Sequence, residues 1–211
     1  ITALAVSPDG KRIVSAGQDG RVQLWDAAGG RKLLALPGHR AAATGVVFSA
    51  DGKRLISAGR DTEIHASDAT TGQLGQVLRA HEHPIRTVAA SPDGRFLASA
   101  GEETRIMLWD AATGKLRNIL NSHVDFVNGL AFSPDGTLLA SGGADTRVLI
   151  WDVAAGKPLR TLQGHSDAVN RVAFSPNGKR LASVGQDARV IVWDVATGQP
   201  VQVFQGHQGP V

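Results

Sequence analysis

Three kinds of side chain capable of acid–base and nucleophilic chemistry recur through this sequence at one fixed interval. Serines stand at Ser15, Ser57, Ser99, Ser141 and Ser183; histidines stand at His39, His81, His123, His165 and His207. Acids stand at Asp19, Asp61, Glu103, Asp145 and Asp187, and each set advances by 42 residues. Hydroxyl, imidazole and carboxylate are the parts of a nucleophilic triad, in which the imidazole takes the hydroxyl proton and the acid orients it. That reading meets three objections. A nucleophile must be accessible, and these serines lie in apolar segments that read as buried. An active site is assembled once, whereas this set recurs. No G-x-S-x-G turn and no G-x-x-x-x-G-K-[ST] loop is present.

His81-Glu82-His83 invites a metal reading. A zinc site needs three or four converging ligands, and the sequence offers no third and fourth partner here. We therefore expect no metal, no cofactor and no catalytic residue.

The interval itself is informative. "SPDG" at 7–10 falls on "SADG" at 49–52, "SPDG" at 91–94 and 133–136, and "SPNG" at 175–178. Five periods follow one another without insertion, at 1–42, 43–84, 85–126, 127–168 and 169–210. A period of this length marks a solenoid or a propeller. Each period holds four short apolar segments between turn signals. In the last they are "AVNRVAFS" (168–175), "RLASVG" (180–185), "RVIVWD" (189–194) and "PVQVFQ" (200–205). All are of strand length and rich in Val, Ile, Leu or Phe. The third is apolar on both faces, as a strand sandwiched between sheets would be. Four-stranded sheets stacked face to face around an axis make a β-propeller. The expectation is all-β: about twenty strands in five four-stranded blades, with no helix beyond isolated turns.

Composition narrows the partner. The 211 residues carry a formal charge of only +3, and Tyr is absent. Basic residues recur at repeat positions such as Lys53-Arg54 and Lys179-Arg180, a solvated rim rather than the dense stripe that phosphate backbones need. No nucleic-acid partner is expected. No apolar run of spanning length exists, so no membrane is expected either, and a cytoplasmic location is the working assumption. Cysteine is absent, which excludes disulfides. The chain opens on Ile1 and its one methionine is Met107, so we expect a piece of a longer protein.

The ordered marks Gly-His, Ser-Pro-Asp-Gly and Trp-Asp resemble those of the WD40 family over the whole chain. The even, Ala- and Gly-rich repeats look like bacterial WD40 arrays. The resemblance implies a buried network of His, Ser, Asp and Trp in each blade. Blade 4 would use His123, Ser141, Asp145 and Trp151; blade 5 would use His165, Ser183, Asp187 and Trp193. Blade 3 carries Glu103 in place of Asp, beside His81, Ser99 and Trp109. Blade 2 keeps His39, Ser57 and Asp61 but has Ser67 where the indole belongs, with Ala66 beside it. Losing a packed indole costs about 3–5 kcal/mol if nothing compensates, so blade 2 should be the softest. Blade 1 has Ser15, Asp19 and Trp25 and no His of its own. Family propellers usually have more than five blades, so an incomplete, open ring is expected. In a ring closed at five, His207 would serve Ser15 and Asp19.

The resemblance also sets two loop faces. The bottom turns repeat almost unchanged, while the top positions vary. Arg60, Glu102 and Gln186 precede the network acid; Arg86, Asn128 and Asn170 start the innermost strands. Glu82, His83 and Phe126 lie in the Gly-His loops. Variable residues on a monotonous frame are where specificity can reside, and the top face around blades 2 and 3 is the expected site for a protein or peptide. The function implied is a non-catalytic interaction scaffold, with self-association through open end blades as a further possibility. A second reading makes the chain the propeller part of a multidomain bacterial kinase or NTPase.

Overall fold

The structure, a computed structural model, describes residues 1–211. It contains twenty strands and no helix. Blade 1 holds β1 (Ala3–Val6), β2 (Arg12–Ala16), β3 (Val22–Asp26) and β4 (Lys32–Leu36). Blade 2 holds β5 (Ala43–Phe48), β6 (Arg54–Gly59), β7 (Glu63–Asp68) and β8 (Leu74–Arg79). Blade 3 holds β9 (Ile85–Ala90), β10 (Phe96–Gly101), β11 (Arg105–Asp110) and β12 (Leu116–Asn121). Blade 4 holds β13 (Val127–Phe132), β14 (Leu138–Gly143), β15 (Val148–Asp152) and β16 (Lys157–Leu162). Blade 5 holds β17 (Val169–Phe174), β18 (Arg180–Gly185), β19 (Arg189–Asp194) and β20 (Pro200–Gln205). Each blade is an antiparallel meander in chain order. No helix is long and apolar enough to cross a membrane.

Burial follows position within the blade. β10 is buried along its length, the middle of β11 is buried, and β12 is largely exposed. The turn between the first two strands is self-contained. Ser133 Oγ–H donates to Asp135 at 2.6 Å, and Asp135 accepts from the Thr137 backbone at 3.0 Å. Gly136 closes the turn at φ +71°, a left-handed conformation that a Cβ would penalise.

Two bulges recur. One sits where the third strand passes Trp-Asp, between Leu108 and Trp109 or Ile150 and Trp151. The other interrupts the innermost strand of blades 2 to 5, leaving Thr44, Arg86, Asn128 and Asn170 out of register. A bulge re-aims its side chain, and here it points that side chain toward the next blade. Thr44 Oγ1 donates to the Ile85 carbonyl at 2.7 Å, Asn128 Nδ2 to that of Val169 at 3.1 Å, and Asn170 Nδ2 to that of Val211 at 2.7 Å. Arg86 donates instead to Asn128 Oδ1 at 3.0 Å. Thr2 bonds the Ala43 carbonyl from the corresponding place in blade 1.

The core is a series of layers between blades. Trp109 packs with Ile56, Ala58 and Ile64 of blade 2; Trp151 packs with blade 3, and Trp193 with blade 4. The layer between blades 1 and 2 has no indole and is built from Val14, Leu24, Phe48, Leu55 and smaller groups.

The arc is open. Inner strands pack in the order β1, β5, β9, β13, β17, with no comparable packing of β17 on β1. His207 is exposed and makes no bond to Ser15 or Asp19. Leu4 and Val6 at one end, and Val203 and Phe204 at the other, are exposed.

The indole-free layer should open more readily than its counterparts. Backbone amides of β7 should exchange with deuterium faster than those of β15, both being third strands of interior blades. Equal protection of 63–68 and 148–152 would contradict this.

Candidate functional site

The recurrent Ser, His, acid and Trp meet as one chain of hydrogen bonds. In blade 4, Trp151 Nε1–H donates to Ser141 Oγ at 2.8 Å. Ser141 Oγ lies 2.8 Å from His123 Nε2, and His123 Nδ1 lies 2.9 Å from Asp145 Oδ2. A carboxylate only accepts, so Nδ1 carries the proton and Nε2 accepts from the serine hydroxyl. Asp145 also accepts from the Val124 backbone at 3.0 Å and from Arg147 Nη2 at 2.7 Å. Blade 5 repeats this through Trp193, Ser183, His165 and Asp187. In blade 3 the longer Glu103 still reaches His81 Nδ1 at 2.5 Å and also accepts from Arg105 at 2.9 Å. Blade 1 keeps only the bond from Trp25 to Ser15, at 2.8 Å, with Asp19 turned to solvent beside Arg21.

These are the bonds of a hydrolytic triad without its freedom. Ser99, Ser141 and Ser183 are fully buried, and an indole N–H already occupies the oxygen of each. No substrate carbonyl can approach.

Blade 2 has a residue the sequence reading overlooked. His65, paired across the sheet with Ser57, stacks on His39 with ring centroids 4.1 Å apart and planes 14° apart. In blades 3 and 4 the indole is the ring nearest the histidine, tilted and more than 6 Å away. An imidazole has thus taken over the contact with the network histidine that Ser67 cannot make. The readable signal was a polar ring in the slot held by Gln23, Met107, Leu149 and Ile191. The repair fills space but leaves polar groups short. Ser57 receives no indole donor, and His65 Nδ1 is buried without a partner while Nε2 meets Glu63 at 2.9 Å.

His39, Asp61 and His65 each bring a potential metal-ligand atom within 4.8 Å of the others. Imidazole lone pairs lie in the ring plane, so two stacked, nearly parallel rings do not aim at one point. Both nitrogens of His39 are already engaged, with Asp61 and Ser57. The other metal candidate does not converge. His81 is in the network, Glu82 faces Arg105 at 3.4 Å, and His83 is exposed.

Burial holds His39 and His81 below the ordinary imidazole value, against the pull of their carboxylates. Burial would raise Asp61 and Asp187, but backbone N–H groups and the imidazoles outweigh it and hold both below the carboxylate range.

Two predictions follow from the network. For the histidines, the unfolded chain protonates below about pH 6.5 while the folded chain resists, so the unfolded state binds more protons. Their contribution is complete above that value and is lost as pH falls; the aspartates add a second loss below about pH 4. The melting temperature should therefore fall steadily from about pH 7 to 5; a constant value would refute the assignment. In blade 2, Ser67→Trp alone should clash with His65 and cost about 1–3 kcal/mol. Combined with His65→Met it should recover stability, a coupling that urea unfolding reads as non-additivity. A single Ser67→Trp variant as stable as the double variant would show that the space is empty.

The variable top residues gather around the axis. Arg60, Arg86, Asn128 and Asn170 line one cavity of about 590 Å³ with Thr2, Thr44, Arg171 and Val211. Glu102 joins Arg60 at 3.0 Å and Arg86 at 3.2 Å, and the Arg86 guanidinium lies 5.3 Å from the Phe126 ring centre. Glu82, His83, Glu102, Phe126 and Gln186 do not line the cavity; Glu102 and Phe126 meet it only through the arginines they contact. Asn128 is buried and serves as an interblade strap. Arg171 was missed, although it is the one charged residue in a slot otherwise held by Ala3, Gly45, Thr87 and Gly129.

Comparison with known proteins agrees with this geometry. The family described as WD domain, G-beta repeat matches residues 1–26, 30–65, 72–110, 114–152 and 156–194. From the third match on, each span takes the outer strand of one blade and three strands of the next, so a single span holds a whole His–Ser–acid–Trp set, while the second span ends within β7. A search of curated proteins found no match. With five matched spans covering most of its length, the chain belongs to the WD40-repeat family.

Proposed function

We propose that this chain is a non-catalytic scaffold that docks a protein or peptide on its top face, around the axial cavity. WD40 repeats form protein-interaction modules. The observation that carries the reading is a division of labour. In blades 2 to 5 the Ser–His–acid set is consumed in buried bonds within the fold, while residues that differ between blades converge on one polar cavity. The parent protein, in this proposal, is a longer cytoplasmic propeller. Its ligand is protein rather than nucleic acid or membrane, because most basic residues are spread around repeat turns and only three arginines meet at the cavity, short of the dense stripe a phosphate backbone needs. Association of copies through the exposed faces of blades 1 and 5 belongs to the same proposal. A kinase or P-loop motif in a longer reading frame would favour the multidomain bacterial signalling enzyme.

The test compares two faces. Arg60→Ala with Arg86→Ala should weaken binding of a partner recovered by pull-down by more than about 1 kcal/mol. Lys53→Ala with Arg54→Ala, in a bottom turn, should change it little. The reverse pattern would place the site on the other face.

A further inference from the structure

We infer that the axial cavity receives an acidic peptide segment, a Glu or Asp carboxylate next to an apolar side chain. This rests on the top-face reading above and specifies its ligand. Three guanidinium groups, from Arg60, Arg86 and Arg171, line or edge the cavity, and one carboxylate, Glu102, answers them. Counted by side chains, the cavity is left with a net positive charge. Arg171 meets no carboxylate and donates to the backbone oxygens of Asn128 and Asn170, at 2.9 and 2.8 Å. Arg86 divides its terminal nitrogens between Asn128 Oδ1 at 3.0 Å and Glu102 at 3.2 Å. Amides and hydroxyls of Asn128, Asn170, Thr2 and Thr44 complete a wall with one apolar residue, Val211.

Glu102 shows the chemistry within the chain. Its Oε1 lies between the forks of Arg60 and Arg86, on neighbouring blades. An incoming carboxylate meets the same two guanidinium groups, with Arg171 across the cavity. Arginine's planar fork matches a carboxylate. The cavity, at about 590 Å³, is much larger than a single small anion. Beside Arg86 the surface is apolar, with Phe126 40% exposed and its ring centre 5.3 Å from the guanidinium. A peptide with acidic and apolar neighbours satisfies both surfaces; a free anion satisfies one.

Glu102 also competes with such a ligand. Removing its charge should strengthen binding, whereas removing an arginine should weaken it. A purely structural role for these residues would not give opposite signs.

The experiment is fluorescence polarisation on the 211-residue chain with three labelled probes. These are the peptide Glu-Phe-Glu-Leu-Glu and its versions with every Glu replaced by Gln or by Lys. Only the Glu peptide should bind, and more weakly as salt rises. Arg60→Gln and Arg171→Gln should each weaken it about fivefold or more, and Glu102→Gln should tighten it about threefold or more. Melting curves establish that each variant is folded, and Arg60→Lys should restore part of the affinity. Several results would overturn the inference. Equal binding of the Glu and Gln peptides, both lost in the paired Arg60→Ala and Arg86→Ala variant, would do so while leaving the top-face reading intact. Binding lost only in the paired Lys53→Ala and Arg54→Ala variant would overturn both. Inorganic phosphate binding more tightly than the Glu peptide would make the cavity a small-anion site. Failure of the Glu peptide to bind the folded chain, or weaker binding in Glu102→Gln, would also count against it.

Discussion

The fold depends on completing a buried polar chain that no single strand can complete. An indole on a third strand, a hydroxyl on a second strand, an imidazole entering from the preceding blade and an acid in the next turn each need the others. Buried donors and acceptors left unmet cost about 1–3 kcal/mol each, so the set favours one spatial arrangement. The glycines nearby follow from this. A Cβ on Gly143 would lie 2.5 Å from both His123 Nδ1 and Asp145 Oδ1. The network leaves no room for a side chain there.

The second constraint acts at the axis. A bulge frees one residue per inner strand from the ladder and turns it toward the neighbouring blade. Its side chain both straps adjacent blades of the open arc and forms the top-face wall. That dual duty explains how the wall can vary while the frame does not. The backbone bulge fixes where the side chain starts, and Thr, Asn or Arg can each find an acceptor on the next blade. Arg86 reaches a side-chain amide where the others reach a carbonyl, and its second terminal nitrogen reaches Glu102.

Much of this was legible in the residues. The 42-residue spacing of Ser-Pro-Asp-Gly, Gly-His and Trp-Asp carried the blades and the strands, and the partners of His123 and His165 came from the resemblance to the WD40 family. The top-face residues were legible only as departures from the repeat. Reading them slot by slot singled out Arg60, Arg86 and Asn128, but it could not show that Asn128 is buried or that Glu102 joins two arginines. Those facts depend on bulge geometry, which leaves no mark in composition. Arg171 and His65 were each out of keeping with their slots. Neither slot belongs to the family's network marks, and the role of each depends on a contact with another strand that the sequence does not display.

Blade 2 shows how far the frame tolerates a broken rule. Ser67 removes an indole, and His65 fills the contact from two residues earlier on the same face of the strand. The substitute recovers ring packing and loses hydrogen bonding, since Nδ1 has no partner and Ser57 lacks its donor. Yet the register of β6 with β7 is the same as that of β14 with β15. The blade keeps its shape because its neighbours over-determine it: His39 still bonds Asp61 and Ser57, and Phe48 and Leu55 still pack on blade 1. In a repeat array each unit contributes its own stability and shares interfaces with the units beside it. One weakened interface therefore lowers the local energy gap without changing the structure, and substitutions at the axis are tolerated for the same reason. A frame held by buried networks at the blade interfaces leaves its inner rim free to acquire charge, and the arginines of this chain occupy that rim.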